Sequence, residues 1–182
     1  ANARDNDDSL TDAEILPMAF VLILAGFDNT ANFIATGVLA LLRDDEQRAL
    51  LLTDPDALAG TTAEEVLRHG RFMMGTPVGA AGSLVPFVAT EDIEIDGQLI
   101  RAGEAVGIDP TTTGHDPAAF EAPERFDISR TDNAHLILSY GLHHCLGAPL
   151  ARMELQVGIA EIFRRLPSLR LSGEPTFNTG HI

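Results

Sequence analysis

The residues best suited to chemistry lie close together near the end of the chain. The run SYGLHHCLGAPLAR, residues 139–152, holds His143, His144 and Cys145 between Gly141 and Gly147. Cys145 is the sole cysteine, which excludes an internal disulfide and any zinc site built from two or more thiolates. A solitary thiol can be a buried structural group, a nucleophile or one ligand of a metal. Downstream, Leu150 to Leu166 reads as a helix that Pro167 ends, with Leu155, Ile159, Ile162, Phe163 and Leu166 on its apolar face. Cys145 therefore just precedes a helix N-terminus, where unpaired N–H groups and the helix dipole stabilise a thiolate. Gly141 and Gly147 let the backbone approach a large flat partner without side-chain interference. A structural cysteine beside two histidines stays open on spacing alone. So does a metal site of His143, His144 and Cys145, although adjacent histidines on a turn seldom converge on one ion.

Two further polar groupings fall inside helical patterns. Glu65 and Arg68 are three residues apart on a helix expected over Thr62 to His69, closed by Gly70. An acid–base pair at that spacing is usually a helix-surface contact, and Thr62 with Glu65 also has the spacing of a capping box. Asp28, Asn29 and Thr30 interrupt the apolar run from Ile15 to Leu42, where polar groups need partners or a cavity. That run is long enough to cross a bilayer. Asp28 near mid-span would cost about 2.5–3.5 kcal/mol on insertion scales, and Pro17, Asn29 and Asn32 add to the case against. A helix buried in a soluble core is the expectation, with no membrane partner.

The remaining elements must hold these groups. Thr11 and Glu14 form a TxxE capping pattern for the first helix, with Pro17 as an alternative first turn. Asp44 to Leu52 reads as a short amphipathic helix, and Asp54-Pro55-Asp56 as its break. Residues 70–83 are Gly-rich and aperiodic, hence an irregular loop. Ile93 to Ile100 carries an Asp96-Gly97 pair suited to a hairpin turn. Residues 110–144, with Pro110, Pro117 and Pro123, read as loop with short helical turns. The fold class is mainly α with a small β-sheet.

Composition sets the limits. The 182 residues carry 12 basic and 27 acidic side chains, a net charge of −15, which repels phosphate backbones and excludes a nucleic-acid partner. With 45% hydrophobic and 21% charged residues, a core is available and wholesale disorder is not expected. The opening ANARDNDDSLTD has no secretory character. It reads as the middle of a longer protein, with a cytoplasmic location.

Taken in chain order, the motifs resemble those of the bacterial cytochrome P-450 monooxygenases. AGFDNT at residues 25–30 resembles the family's oxygen-side helix motif and Glu65-Val66-Leu67-Arg68 its ExxR motif. Pro123-Glu124-Arg125-Phe126 resembles its PERF segment. The GxHxCxG run of Gly141, His143, Cys145 and Gly147, followed by APLAR, resembles its haem-binding loop, and residues 88–106 its hairpin region. The resemblance implies the C-terminal portion of the cytochrome P-450 fold: long oxygen-side helix, ExxR helix, hairpin, haem loop and following helix. Residues 1–182 would be a single haem-binding region of a larger domain whose N-terminal half lies outside this sequence.

The same resemblance implies a haem-thiolate monooxygenase that inserts one oxygen atom from dioxygen into a small organic substrate. Its cofactor would be haem b and its electron donor a ferredoxin or flavodoxin. Cys145 would be the axial metal ligand, His143 would hydrogen-bond a haem propionate, and Ala25, Gly26, Gly141, Leu146 and Gly147 would lie against the haem. Glu65, Arg68 and Arg125 would form a buried cluster that fixes the loop preceding Cys145. Asp28, Asn29 and Thr30 would face dioxygen, with Asp28 helping to deliver protons, and Arg152 is a candidate docking charge. Three departures stand out. Asn29 occupies the place where the family usually has Thr, Phe87 that of an Arg for a propionate, and Leu138-Ser139 that of Phe-Gly. They motivate the alternative, a degenerate noncatalytic partner or activator protein.

Overall fold

The computed structural model describes residues 10–70, 87–108 and 110–175. The Gly-rich stretch expected as an irregular loop falls outside them from residue 71 onward. Three helices come first: α1, Asp12–Arg43; α2, Asp45–Thr53; and α3, Pro55–His69. Four short strands follow: β1, Phe87–Val88; β2, Ile93–Ile95; β3, Gln98–Ile100; and β4, Ala105–Val106. A one-turn helix α4, Pro110–Thr113, a 3₁₀ turn over Gly141–His143 and the helix α5, Ala148–Arg165, complete the order. The expected small sheet is two separate antiparallel pairs, β1 with β4 and β2 with β3.

Local chemistry sets the helix boundaries. Glu14 accepts hydrogen bonds from the Thr11 backbone N–H and hydroxyl, each at 2.8 Å, and that backbone bond first holds its carboxyl below the usual range. α1 therefore starts ahead of Pro17, which lies inside it. Asp44 ends α1 and caps α2 through the Gln47 N–H at 3.0 Å, and Asp54 caps α3 through the Ala57 N–H at 3.0 Å. With Pro55 in its first turn, α3 begins well before Thr62. The capping-box reading of Thr62 and Glu65 is thereby overturned: Thr62 is a buried mid-helix residue. At the hairpin, Asp96 and Gly97 have φ of 48° and 74°, the pattern of a type I′ turn that matches strand twist. Its register pairs Ile93 with Ile100 and Ile95 with Gln98.

α5 packs on α3 and on the second half of α1. Leu41, Leu51, Ala63, Leu67, Leu155 and Phe163 are completely buried between them. Close approach depends on Gly37, where an added Cβ would sit 2.8 Å from Val66 Cγ2 and 3.1 Å from Ile159 Cδ1. The first half of α1 is different. Leu16, Phe20, Val21 and Ile23 are exposed among the described residues. α1 is long and apolar enough to cross a membrane by length and composition, and only 6% of its most apolar window is buried. The expectation of a buried helix thus holds for its second half only.

Candidate functional site

Cys145 sits three residues ahead of α5 on a loop that its own backbone braces. The Cys145 N–H donates to the Leu138 carbonyl at 2.8 Å, and the Cys145 carbonyl accepts from the Ala148 N–H at 3.1 Å. Nδ1 of His144 lies 3.3 Å from the Ser139 carbonyl, at the base of the same loop. Ser139 adopts φ of 62° and Gly141 of 63°. Ser139 is thus left-handed where the resembled family places glycine. The thiol is free and exposed, which removes the buried structural-cysteine reading. Tyr140, Leu142 and Leu146 around it are also exposed. A Cβ added at Gly26 or Gly141 would meet nothing within 4 Å, and one at Gly147 only Cys145 Sγ at 3.9 Å. The imidazole of His143 packs edge-on against Phe87 with centroids 5.3 Å apart. Two residues expected at a propionate position therefore do meet.

The oxygen-side segment lies on the exposed part of α1. Asn29 Nδ2 donates to the Ala25 carbonyl at 3.3 Å, and Asn32 Nδ2 to Asp28 Oδ2 at 2.9 Å. Gly26, Thr30 and Ile34 of α1 face Met153 and Val157 of α5 across a groove of about 510 Å³. The fold so brings the AGFDNT segment beside the helix that follows Cys145. Asp28 and Asn29 do not line that groove. A cavity of about 530 Å³, bounded by Thr36, His69 and Phe126, holds none of the expected ligand or oxygen-side residues.

Behind the loop, Glu65 and Arg68 are fully buried and form a two-pronged pair, Nε to Oε2 at 2.8 Å and Nη2 to Oε1 at 2.7 Å. Arg68 also donates to the carbonyls of Gly114, Pro123 and Arg125 at 2.6, 2.7 and 2.9 Å. Glu65 further accepts the Asp127 N–H at 2.8 Å and Asn133 Nδ2 at 3.2 Å. Arg125 does not complete this cluster as expected. Its side chain is 59% exposed and reaches toward Glu46 at 3.9 Å. Because its carbonyl is turned in to Arg68, its guanidinium points out. Arg130, 12% exposed, takes the place, with Nε 3.4 Å from Glu65 Oε2.

Sequence reasoning passed over Glu64, the neighbour of Glu65. Arg152 of α5 donates to it through Nε at 2.6 Å and Nη2 at 3.2 Å, and His135 Nε2 lies 3.2 Å from its Oε2. Burial pushes the Glu64 carboxyl up, but the close approach of His135 and the hydrogen bonds and charge of Arg152 outweigh it and hold the group down at about 2. Arg152 is therefore committed to an ion pair rather than free as a docking charge. The only signal in the sequence was two consecutive carboxylates on a helix with a buried face.

Among the described residues no group of three or more His, Cys, Asp or Glu side chains could hold a metal ion. His143, His144 and Cys145 do not converge as a site of their own. One exposed thiol just ahead of a helix N-terminus, flanked by glycines and apolar side chains, does fit haem, which brings four nitrogen donors and takes a single protein thiolate.

Comparison with known proteins agrees with this geometry. The chain is 40% identical over 166 residues to cytochrome P-450 105C1 of a Streptomyces species, covering 91% of this chain and 41% of that protein. It is 41% identical over 169 residues to the mycinamicin IV hydroxylase/epoxidase of Micromonospora griseorubida, covering 93% and 41%. The crystal structure of the LnmA cytochrome P-450 hydroxylase of Streptomyces atroolivaceus superposes with a TM-score of 0.81 at 40% identity, over 93% of this chain and 42% of that one. The chain thus spans about two fifths of the length of the relatives it matches, and its helices and strands correspond to the C-terminal portion of their fold. The cytochrome P-450 family model matches residues 78–176, more than half of the sequence, and with helices, hairpin and thiol loop in the expected order the chain belongs to the cytochrome P-450 family.

Proposed function

We propose that this chain is the haem-binding part of a soluble, cytoplasmic haem-thiolate monooxygenase acting on a small organic substrate. Electrons would come from a ferredoxin or flavodoxin. The observation that carries the reading is the exposed Cys145 thiol on a braced loop at the N-terminus of α5. The chemistry that haem b supplies when bound there is reductive activation of dioxygen, with one oxygen atom entering the substrate and the other leaving as water.

The chain's own residues have defined tasks in this reading. Cys145 would hold the haem iron through its sulfur. Its thiolate would be stabilised by the dipole at the N-terminus of α5. His143, whose ring packs edge-on against Phe87, would donate a hydrogen bond to a haem carboxylate. Glu65, Arg68 and Arg130 hold the segment ahead of the loop against α3. On the oxygen side, Asp28, whose carboxylate accepts the Asn32 amide, would stand on the path by which protons reach dioxygen. Asn29 and Thr30 orient water and dioxygen beside Ala25 and Gly26. The Asn29 amide donates to the Ala25 carbonyl and can donate again, but it cannot relay a proton as a hydroxyl does. Water exclusion on this face falls to the apolar half of α1. The match of 93% to the solved hydroxylase leaves too few residues unmatched for α1 to lie outside it, which supports a helix covered by the rest of the domain.

The test is optical. The full-length protein is loaded with haem, reduced and exposed to CO. A thiolate-type Soret band that is lost in Cys145→Ala is expected, whereas a band that is absent, or indifferent to the substitution, refutes the assignment. The competing reading as a noncatalytic relative draws on Asn29 and Phe87. Substrate-dependent oxygen consumption with a surrogate redox chain, yielding an oxygenated product, excludes it.

A further inference from the structure

We propose that Glu64 is a positioning residue for Cys145, tying both ends of the thiol loop to α3 and balancing charge behind the sulfur. The inference rests on the haem-thiolate reading above. His135 lies ahead of the loop and Arg152 follows it on α5, and both converge on one carboxylate. Arg152 grips both oxygens at 2.6 and 3.2 Å. His135 is 2% exposed, with Glu64 Oε2 3.2 Å from its Nε2. The carboxylate is a quarter exposed, so the charges are only partly screened.

The neighbouring Glu65 does a different task. It binds Arg68, Arg130, Asn133 and the Asp127 N–H, all of them upstream of the thiol loop. Glu64 alone of the two reaches past Cys145, to a side chain on α5. Arg152 lies five residues into α5 from its cap Gly147, about 7–8 Å along the helix axis. That rise keeps Arg152 within about one and a half helical turns of the end of the thiol loop. A charge there acts on the electron balance of a sulfur-bound metal at the helix N-terminus. With Glu64 in place the Arg152 charge is compensated. Without it, a net positive charge behind the loop favours the reduced iron.

This makes an electrostatic role separable from a purely structural one. In the haem-loaded full-length protein, Glu64→Gln is expected to shift the iron midpoint potential to more positive values. Arg152→Gln is expected to shift it to more negative values. The double variant Glu64→Gln with Arg152→Gln is expected to return to the parent value, and Glu64→Asp, which keeps the charge, to remain near it. Loss of haem in a single variant that the double variant restores supports the same coupling. Shifts of one sign in both single variants, no shift in either, or haem loss that the double variant does not restore would overturn the proposal. A parent protein without a thiolate-type Soret band would instead overturn the haem reading on which it rests.

Discussion

Replacing Arg130 and Arg125 one at a time with alanine separates what the sequence motif implies from what the packing does. Arg130 places Nε 3.4 Å from Glu65 Oε2, and Nη1 donates to the Glu121 carbonyl at 3.0 Å. Its removal deletes a charge-assisted hydrogen bond, worth about 1.5–3 kcal/mol, together with a longer charge–charge contact that adds little. Glu65 keeps Arg68, Asn133 and the Asp127 N–H, so its carboxylate is not stranded. Arg130→Ala should therefore cost about 2–3 kcal/mol, short of the roughly 3–5 kcal/mol expected for a buried ion pair broken outright. Arg68→Ala falls in that higher class. Arg125→Ala removes an exposed side chain whose nearest carboxylate is 3.9 Å away, and should cost less than about 0.5 kcal/mol. Its structural contribution is a backbone carbonyl, which alanine retains. The assay is the thermal midpoint of the full-length protein at matched haem occupancy, where 1 kcal/mol moves a domain of about two and a half times this length by about 1 °C. Arg130→Ala should fall by about 2–3 °C and Arg125→Ala by less than about 0.5 °C. An Arg125→Ala loss equal to or greater than that of Arg130→Ala would refute the assignment of the third member of the cluster.

Other substitutions probe the scaffold and its pH response. At Ser139, whose φ is 62°, Ser139→Val should cost about 1–2 kcal/mol, because a β-branched residue resists the left-handed region. Ser139→Gly should stay within about 0.5 kcal/mol, since relieved strain is offset by a freer unfolded chain. Equal midpoints for these two variants would show that the turn is not held as described. Gly37→Ala places a methyl 2.8 Å from Val66 Cγ2 and should destabilise by about 1–3 kcal/mol through overpacking, read as a lower denaturant midpoint. The Glu64 carboxyl is depressed from 4.5 to about 2 in the fold. Its contribution to stability is therefore complete above pH 4.5 and is lost as pH falls toward 2. Glu64→Gln should flatten that part of the acid limb in a pH series of unfolding midpoints, and an unchanged limb would contradict the ion pair.

What could be read from the sequence was governed by near neighbours. A capping pattern at Thr11, an Asp-Gly pair at a hairpin and a thiol just before an amphipathic helix depend on groups a few residues apart. Local geometry leaves them little choice. The order of the motifs likewise identified the family and placed Cys145, because each motif is a short contiguous run. The tertiary structure alone decided which side chains meet across long separations. Thr62 has the spacing of a cap, yet packing against α5 leaves it buried mid-helix. Arg125 has the right motif, but its carbonyl faces Arg68 and its guanidinium is turned out, so Arg130 reaches Glu65. Glu64 meets Arg152 across 88 residues of chain, a pairing set by how α3 packs on α5. Sequence spacing carries no record of such a contact, since it depends on the rotation of two helices about their axes.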